Sequence, residues 1–189
     1  MKRSKAWDNY SKVFLIFFGF PLYSIPIISS RFFGLIFGTP YYFHDQWPIF
    51  IVLGIVLVGM AIKIGNLALA QNKIRGLAKG NYQLLNGGIY GILRHPMYTA
   101  HILGFLGTSF IFDSFYAIIL IPIIILTFGL GAYLEETKLL VPKFGEKYII
   151  YKNNIPERLF PAPYNYFLFI IGLFVVYIGF LNLELIFTV

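Results

Sequence analysis

The chain has 189 residues, of which 58% are apolar and only 12% charged, with a formal charge of +7 and no cysteine. Soluble domains sit near a quarter charged, so an ordinary globular fold is excluded. The missing cysteine also excludes disulfides, thiolate nucleophiles and Cys-ligated metals. Several runs approach the roughly 20 apolar residues that cross a bilayer, so the composition predicts an all-α integral membrane protein built as one domain, residues 1–189.

The first residues, MKRSKAWDNYSK, are basic and polar, and an apolar run from Val13 to Ser30 follows, interrupted by Pro21 and Pro26. No small-x-small cleavage pattern follows it, so 13–30 reads as an uncleaved first membrane helix kinked at its prolines. Arg31 to Trp47 is aromatic and broken by Gly34, Gly38 and Pro40. Tyr41, Tyr42 and Trp47 suit a bilayer interface, and Phe32–Phe37 is expected to dip into the membrane. A second helix is predicted from Pro48 to Ala70, with Lys63 snorkelling to the headgroups.

Gln71 to Arg94 reads as a polar connection. A third helix begins near Pro96, whose ring suits a first turn, and ends at Phe112. Asp113-Ser114 makes a turn, and a fourth helix runs antiparallel from Phe115 to Leu134, bent at Pro122. The charged segment EETKLLVPKFGEKYIIYKNNIPERLFP is mostly helical, broken at Pro142 and near Pro156. Leu139, Leu140, Phe144, Tyr148 and Tyr151 face the membrane or a site there, with the lysines toward water. A last helix covers 164–187.

Five crossings put the amino terminus, the 71–95 connection and the 135–163 segment on one side. Of the 15 Lys and Arg residues, Arg31 alone falls opposite, with Asp45, Asp113 and Glu184. The positive-inside rule makes the charged side cytoplasmic. It accounts for the net charge without a nucleic-acid partner.

The stretch NYQLLNGGIYGILRHPMY, 81–98, concentrates the polar and turn-forming chemistry at the membrane edge. Arg94-His95-Pro96-Met97-Tyr98 opens a helix whose first N–H groups suit a carboxylate; the bland alternative is an interfacial anchor, with Arg94 on lipid phosphate. Glu135-Glu136 closes the fourth helix on the same side. Acids gain nothing from a helix C-terminus, so a bound ammonium, sulfonium or ribose diol competes with a plain solvated end. Gly129-Leu130-Gly131 lacks a third glycine and reads as helix packing. His101, one turn beyond Tyr98, reads as a helix–helix hydrogen bond or a cavity wall. His44, His95 and His101 offer no i, i+4 pair, so no metal site is expected.

Taken together, Leu84-Leu85-Asn86-Gly87-Gly88-Ile89-Tyr90, then Arg94-His95-Pro96-Met97-Tyr98, Glu135-Glu136, Phe144-Gly145, Tyr148 and Tyr151 resemble the isoprenylcysteine carboxyl methyltransferase family, membrane enzymes similar to phospholipid methyltransferases. The resemblance covers about 82–161, within a methyltransferase-like core at about 48–161. It implies S-adenosylmethionine bound on the cytoplasmic side without a Rossmann domain. By position, its cofactor contacts are Tyr82, Gln83, Leu84, Leu85, Tyr90, His95, Pro96, Met97, Tyr98 and Glu136, Tyr82 and Gln83 matching by spacing rather than residue type. Prenylcysteine enzymes carry an arginine four residues before that glutamate, where this chain has Ala132, which argues against a carboxylate acceptor.

The resemblance thus implies methyl transfer to a small lipophilic or membrane-embedded acceptor. No residue is assigned to catalysis; Arg158, Glu135 and His101 are the candidates. An NADPH-dependent membrane reductase, since sterol-reductase-type proteins are similar in their carboxyl-terminal half, and a non-enzymatic membrane protein remain the alternatives.

Overall fold

A computed structural model describes residues 20–29, 42–74 and 83–182. Among them the chain is all-helical, with no strand: α1 Phe20–Ile28, α2 Trp47–Ile74, α3 Pro96–Ile111, α4 Phe115–Glu135, α5 Val141–Phe144, α6 Glu146–Asn154 and α7 Tyr164–Leu181. Three helical stretches, Trp47–Gln71, Phe115–Phe144 and Tyr164–Leu181, are long and apolar enough to cross a membrane. They carry bulky aliphatic and aromatic side chains on outward faces, such as Val52, Leu126 and Phe169, as helices facing hydrocarbon do. The expected dip at Phe32–Phe37, the amino-terminal part of the first helix and Arg31 lie outside the described residues.

The shorter α3 is the central element. Most of its residues are buried, including Leu103, Phe105, Leu106 and Phe110. On one side it joins Phe43, Phe50 and Leu57 with Ile171, Val175 and Ile178 of α7. On the other it joins Leu22 of α1 with Ile124 and Phe128 of α4. Contact between α2 and α3 is close because Gly54 faces Gly107. A Cβ on Gly54 would lie 2.6 Å from the Gly107 carbonyl oxygen, and one on Gly107 2.7 Å from that of Gly54. Small residues bring membrane helices together in this way.

Several boundaries differ from the sequence expectation. Helix α2 continues through Gln71 to Ile74, because polar residues without glycine or proline need not end a helix. After α4 the chain makes a π-helical turn, Glu136–Leu140, and then α5. Pro142 follows directly on the π-helical turn, and the helical stretch runs through it to Phe144. The break falls instead at Gly145, with φ +55°. Gly129 and Gly131 have nothing within 4 Å of an added Cβ among the described residues, so they do not pack against any described helix. Helix α7 stops at Leu181, and 183–187 lie outside the described residues.

A clasp holds the end of the molecule opposite the polar segments. Asp113, with φ +45°, accepts the backbone N–H groups of Tyr42 (2.9 Å) and Phe43 (2.8 Å) on one carboxylate oxygen. Asn182 donates to the Tyr42 carbonyl at 3.0 Å and to Gln46 at 3.2 Å, and the Tyr42 hydroxyl donates to the Val175 carbonyl. These bonds tie the α2 entry to the α3–α4 turn and to α7. Charge-assisted hydrogen bonds contribute about 1.5–3 kcal/mol each. Asp113→Ala is therefore expected to destabilise the fold by about 3 kcal/mol, and Asp113→Asn, which keeps an acceptor and tolerates positive φ, by less. Thermal unfolding of the detergent-solubilised variants checks the order.

Candidate functional site

The site is assembled where the start of α3, the end of α4 and the strap 155–159 meet. His95 leaves the loop with φ −127° and ψ 62°, and Pro96 opens the helix. The strap runs alongside: the N–H groups of Arg94 and His95 donate to the carbonyls of Glu157 (3.1 Å) and Arg158 (3.0 Å). Thr99 Oγ1 donates to the Leu159 carbonyl. Arg94 Nη1 donates to the carbonyls of Ile155 and Pro156, both at 2.7 Å. The backbone on either side of the helix start is thereby satisfied, and the side chains are held toward α4.

There they meet Glu136. Its side chain is 2% exposed, yet it takes three cationic or imidazole partners. Oε1 accepts from Arg94 Nε at 2.9 Å and Arg158 Nε at 3.2 Å, and lies 3.1 Å from His95 Nε2; Oε2 accepts from Arg158 Nη2 at 3.1 Å. A carboxylate removed from water needs such compensation. The π-helical turn that begins at Glu136 is the geometry that turns it inward, and widened turns of this type cluster at functional sites. Glu135 points elsewhere. Its side chain is 35% exposed, Oε2 accepts from the Tyr98 hydroxyl at 2.9 Å and lies 3.6 Å from His95 Nδ1. The rings of His95 and Tyr98 stack at 5.4 Å.

Beside this knot lies a cavity of about 610 Å³, lined by Gln83, Leu84 and Asn86 of the loop and by Phe144, Lys147, Ile150, Tyr151, Asn154 and Ile155. Small-molecule pockets run from about 300 to 1,000 Å³. Ile155 joins cavity and knot through its carbonyl on Arg94, and Tyr151 of the cavity wall donates its hydroxyl to the Tyr90 carbonyl at 2.7 Å and packs its ring on Tyr148 at 5.8 Å. Burial pushes both phenols well above the ordinary tyrosine range, so both stay protonated donors at any working pH. The Tyr148 side chain is fully buried with its hydroxyl unpaired among the described residues, a donor that a polar group is normally recruited to satisfy. Gly88, at φ +55°, lies against the Gln71 side chain of α2, which fixes the loop that bears Gln83 and Leu84.

The sequence-derived residues fall into two groups. His95 and Tyr98, with Glu135, Glu136 and Arg158, meet at the knot, Pro96 and Met97 lie in the first turn of α3 between them, and Gln83 and Leu84 line the cavity. Leu85 is half-buried in the same loop, and Tyr90 takes part through its carbonyl. Tyr82 lies outside the described residues. Two bland expectations are overturned. Arg94 is buried and does not reach toward lipid phosphate, and Glu136 is not a solvated helix end. Sequence reasoning missed Arg94 as a structural partner. The available signal was that a charge within an apolar chain must be paired, with an acid 42 positions on. His101 stands apart, bonded to Tyr23 of α1 at 2.9 Å, as the helix–helix expectation had it.

The cavity has apolar and amide walls that suit a flat ring with a polar edge; the partly exposed carboxylate of Glu135 and the Tyr148 hydroxyl, unpaired among the described residues, lie outside that lining. Comparison with known proteins gives the family. The family model for phospholipid methyltransferases matches residues 49–147. The chain is similar to a Schizosaccharomyces pombe protein, protein-S-isoprenylcysteine O-methyltransferase, with 29% identity over 79 residues, 42% of this chain and 34% of the relative. The match thus spans about a third of that curated relative's length. No solved structure matches. With the family model covering more than half of the sequence, including the α3 start and the Glu135-Glu136 pair, the chain belongs to the phospholipid methyltransferase family.

Proposed function

We propose that the protein is an S-adenosylmethionine-dependent methyltransferase acting on a small lipophilic or membrane-embedded acceptor. The observation that carries this reading is the convergence of His95, Tyr98 and the Glu135-Glu136 pair beside the cavity that Gln83 and Leu84 line, within a chain of this family. The reading places five crossings and a cytoplasmic site on the charge asymmetry, the three long apolar helices supporting the membrane location.

The bound cofactor supplies an electrophilic methyl on a sulfonium, and the chain's residues supply position and dryness. Leu84, Phe144, Ile150 and Ile155 would sandwich a flat apolar ring, with Gln83, Asn86 and Asn154 for its edge. Glu135 would hold an ammonium or ribose group, reached through its exposed carboxylate. Glu136, engaged by Arg94, His95 and Arg158, would keep His95 and the strap in place and offer the remaining acceptor capacity of its oxygens. Arg158 is engaged by Glu136 and lies over the Tyr133 ring at 5.7 Å, so it does not act as a free carboxylate binder. With Ala132 fully buried on α4, a carboxylate acceptor is disfavoured.

Thermal shifts of the purified chain separate this reading from a dinucleotide reductase. S-adenosylmethionine is expected to raise the unfolding midpoint and NADPH to leave it unchanged. A shift from NADPH alone would support the reductase.

A further inference from the structure

A second polar cluster lies deeper along α3, one turn from the Tyr98–Glu135 pair. His101 Nδ1 is 2.9 Å from the Tyr23 hydroxyl of α1. The His101 ring stacks on Phe128 of α4 at 5.7 Å and 12°. Phe128 also touches Tyr98 at 5.5 Å, and Tyr98 stacks on His95. A continuous series of rings thus leads from the Glu135-Glu136 site into the packed helices. Its far end is built rather than incidental: the Tyr23 ring lies over Gly104, where an added Cβ would come within 2.7 Å of Cε1. His101 is half-buried, and among the described residues its Nε2 has no partner.

A histidine among membrane helices costs desolvation that leucine would avoid, and such residues mark functional positions. A helix–helix hydrogen bond alone is weak compensation for that cost. When Nδ1–H donates to the Tyr23 oxygen, Nε2 is left with its lone pair, open to a ligand.

We propose that His101, oriented by Tyr23, receives the proton of the methyl acceptor. The acceptor is then an amphiphile with a protic head, a hydroxyl or thiol, on an apolar body that reaches His101 from the bilayer. This rests on the methyltransferase reading. As the acceptor's oxygen or sulfur bonds to the methyl carbon, the carbon–sulfur bond of the sulfonium donor breaks and its electron pair stays on the sulfur. The proton passes from the acceptor to Nε2, and the positive charge passes with it to the imidazole. Phe128, stacked on His101 and touching Tyr98, would flank that head where it meets the methyl group and keep water from it.

The test uses the full chain in lipid nanodiscs with 15N-labelled histidine rings, His101 being assigned from the spectrum of His101→Gln. Dodecanol and dodecanethiol are the probes and dodecane the control. The Nε2 resonance is expected to move with at least one protic probe and to stay with dodecane. With S-adenosylmethionine present, His101→Gln should lower kcat/KM for the better probe at least 100-fold, within the range of general-base effects. Its affinity for S-adenosylhomocysteine should remain within about threefold of wild type. Should that variant fail to fold, Tyr23→Phe, which keeps the ring over Gly104, is expected to lose about tenfold. A resonance unmoved by both protic probes, or variants at wild-type kcat/KM, overturns the proposal. Absent S-adenosylhomocysteine binding by the wild type would instead sink the methyltransferase reading, and the resonance titration still decides whether His101 contacts a protic head.

Discussion

Glu136→Ala is expected to cost about 3–5 kcal/mol of stability and to abolish binding of S-adenosylhomocysteine. The size follows from what the carboxylate leaves behind, since breaking a buried ion pair strands the remaining charge. The Arg94 side chain is 4% exposed and would keep only the carbonyls of Ile155 and Pro156. Arg158 can turn to water, its side chain being 33% exposed. Arg94 cannot. The strap, tied to the α3 start partly through these two arginines, would loosen with them, and His95 would lose its partner at Nε2. Glu136→Gln keeps the shape and one acceptor, so its cost should be smaller and its effect on ligand binding should exceed its effect on folding. Thermal unfolding and ligand titration of the two variants, measured side by side, check both parts. Wild-type stability in Glu136→Ala would show that the knot does not hold the strap.

Gly107→Val is expected to be the most damaging change within the apolar helices. The added atoms meet the Gly54 carbonyl oxygen and the Val58 backbone nitrogen of α2. Backbone cannot swing aside as a side chain can, so α2 and α3 must separate along their close contact. Overpacking costs about 1–3 kcal/mol even in adaptable cores, and here the backbones themselves must part. Gly107→Ala should already lower the unfolding midpoint, and Gly54→Ala should lower it comparably. Gly129→Ala and Gly131→Ala, on α4 with no neighbour within 4 Å among the described residues, are the controls. They are expected to be neutral or stabilising, since alanine is favoured over glycine in a helix by about 1 kcal/mol. Equal losses at all four positions would contradict the close-contact account.

These two sites illustrate what the sequence made legible. The α3–α4 hairpin could be read because apolar length, Pro96 and the Asp113-Ser114 turn are local signals, and the structure places α3 at Pro96–Ile111 and α4 at Phe115–Glu135. The likeness of 81–98 and the Glu pair to a methyltransferase pattern could be read because those residues fit no lipid-facing role. Contacts between distant segments were less accessible. Glycine pairs illustrate this well: Gly129 and Gly131 have helix-packing spacing but meet no neighbour among the described residues, whereas Gly54 and Gly107, 53 positions apart by number, form the contact. Only the tertiary crossing decides which glycines meet. Arg94 likewise carries a side chain that suits either a lipid phosphate or a buried acid, and its choice depends on the π-helical turn at Glu136, which no local propensity announces. The strap over the α3 start is made of carbonyl oxygens from Ile155 to Leu159, groups every residue has and no sequence pattern marks.

Calorimetric titration of the purified full chain with S-adenosylhomocysteine tests the central claim most directly. The account predicts saturable binding at one site per chain, lost in Glu136→Ala and retained in His101→Gln. Heats indistinguishable from dilution for the folded wild-type protein would contradict it.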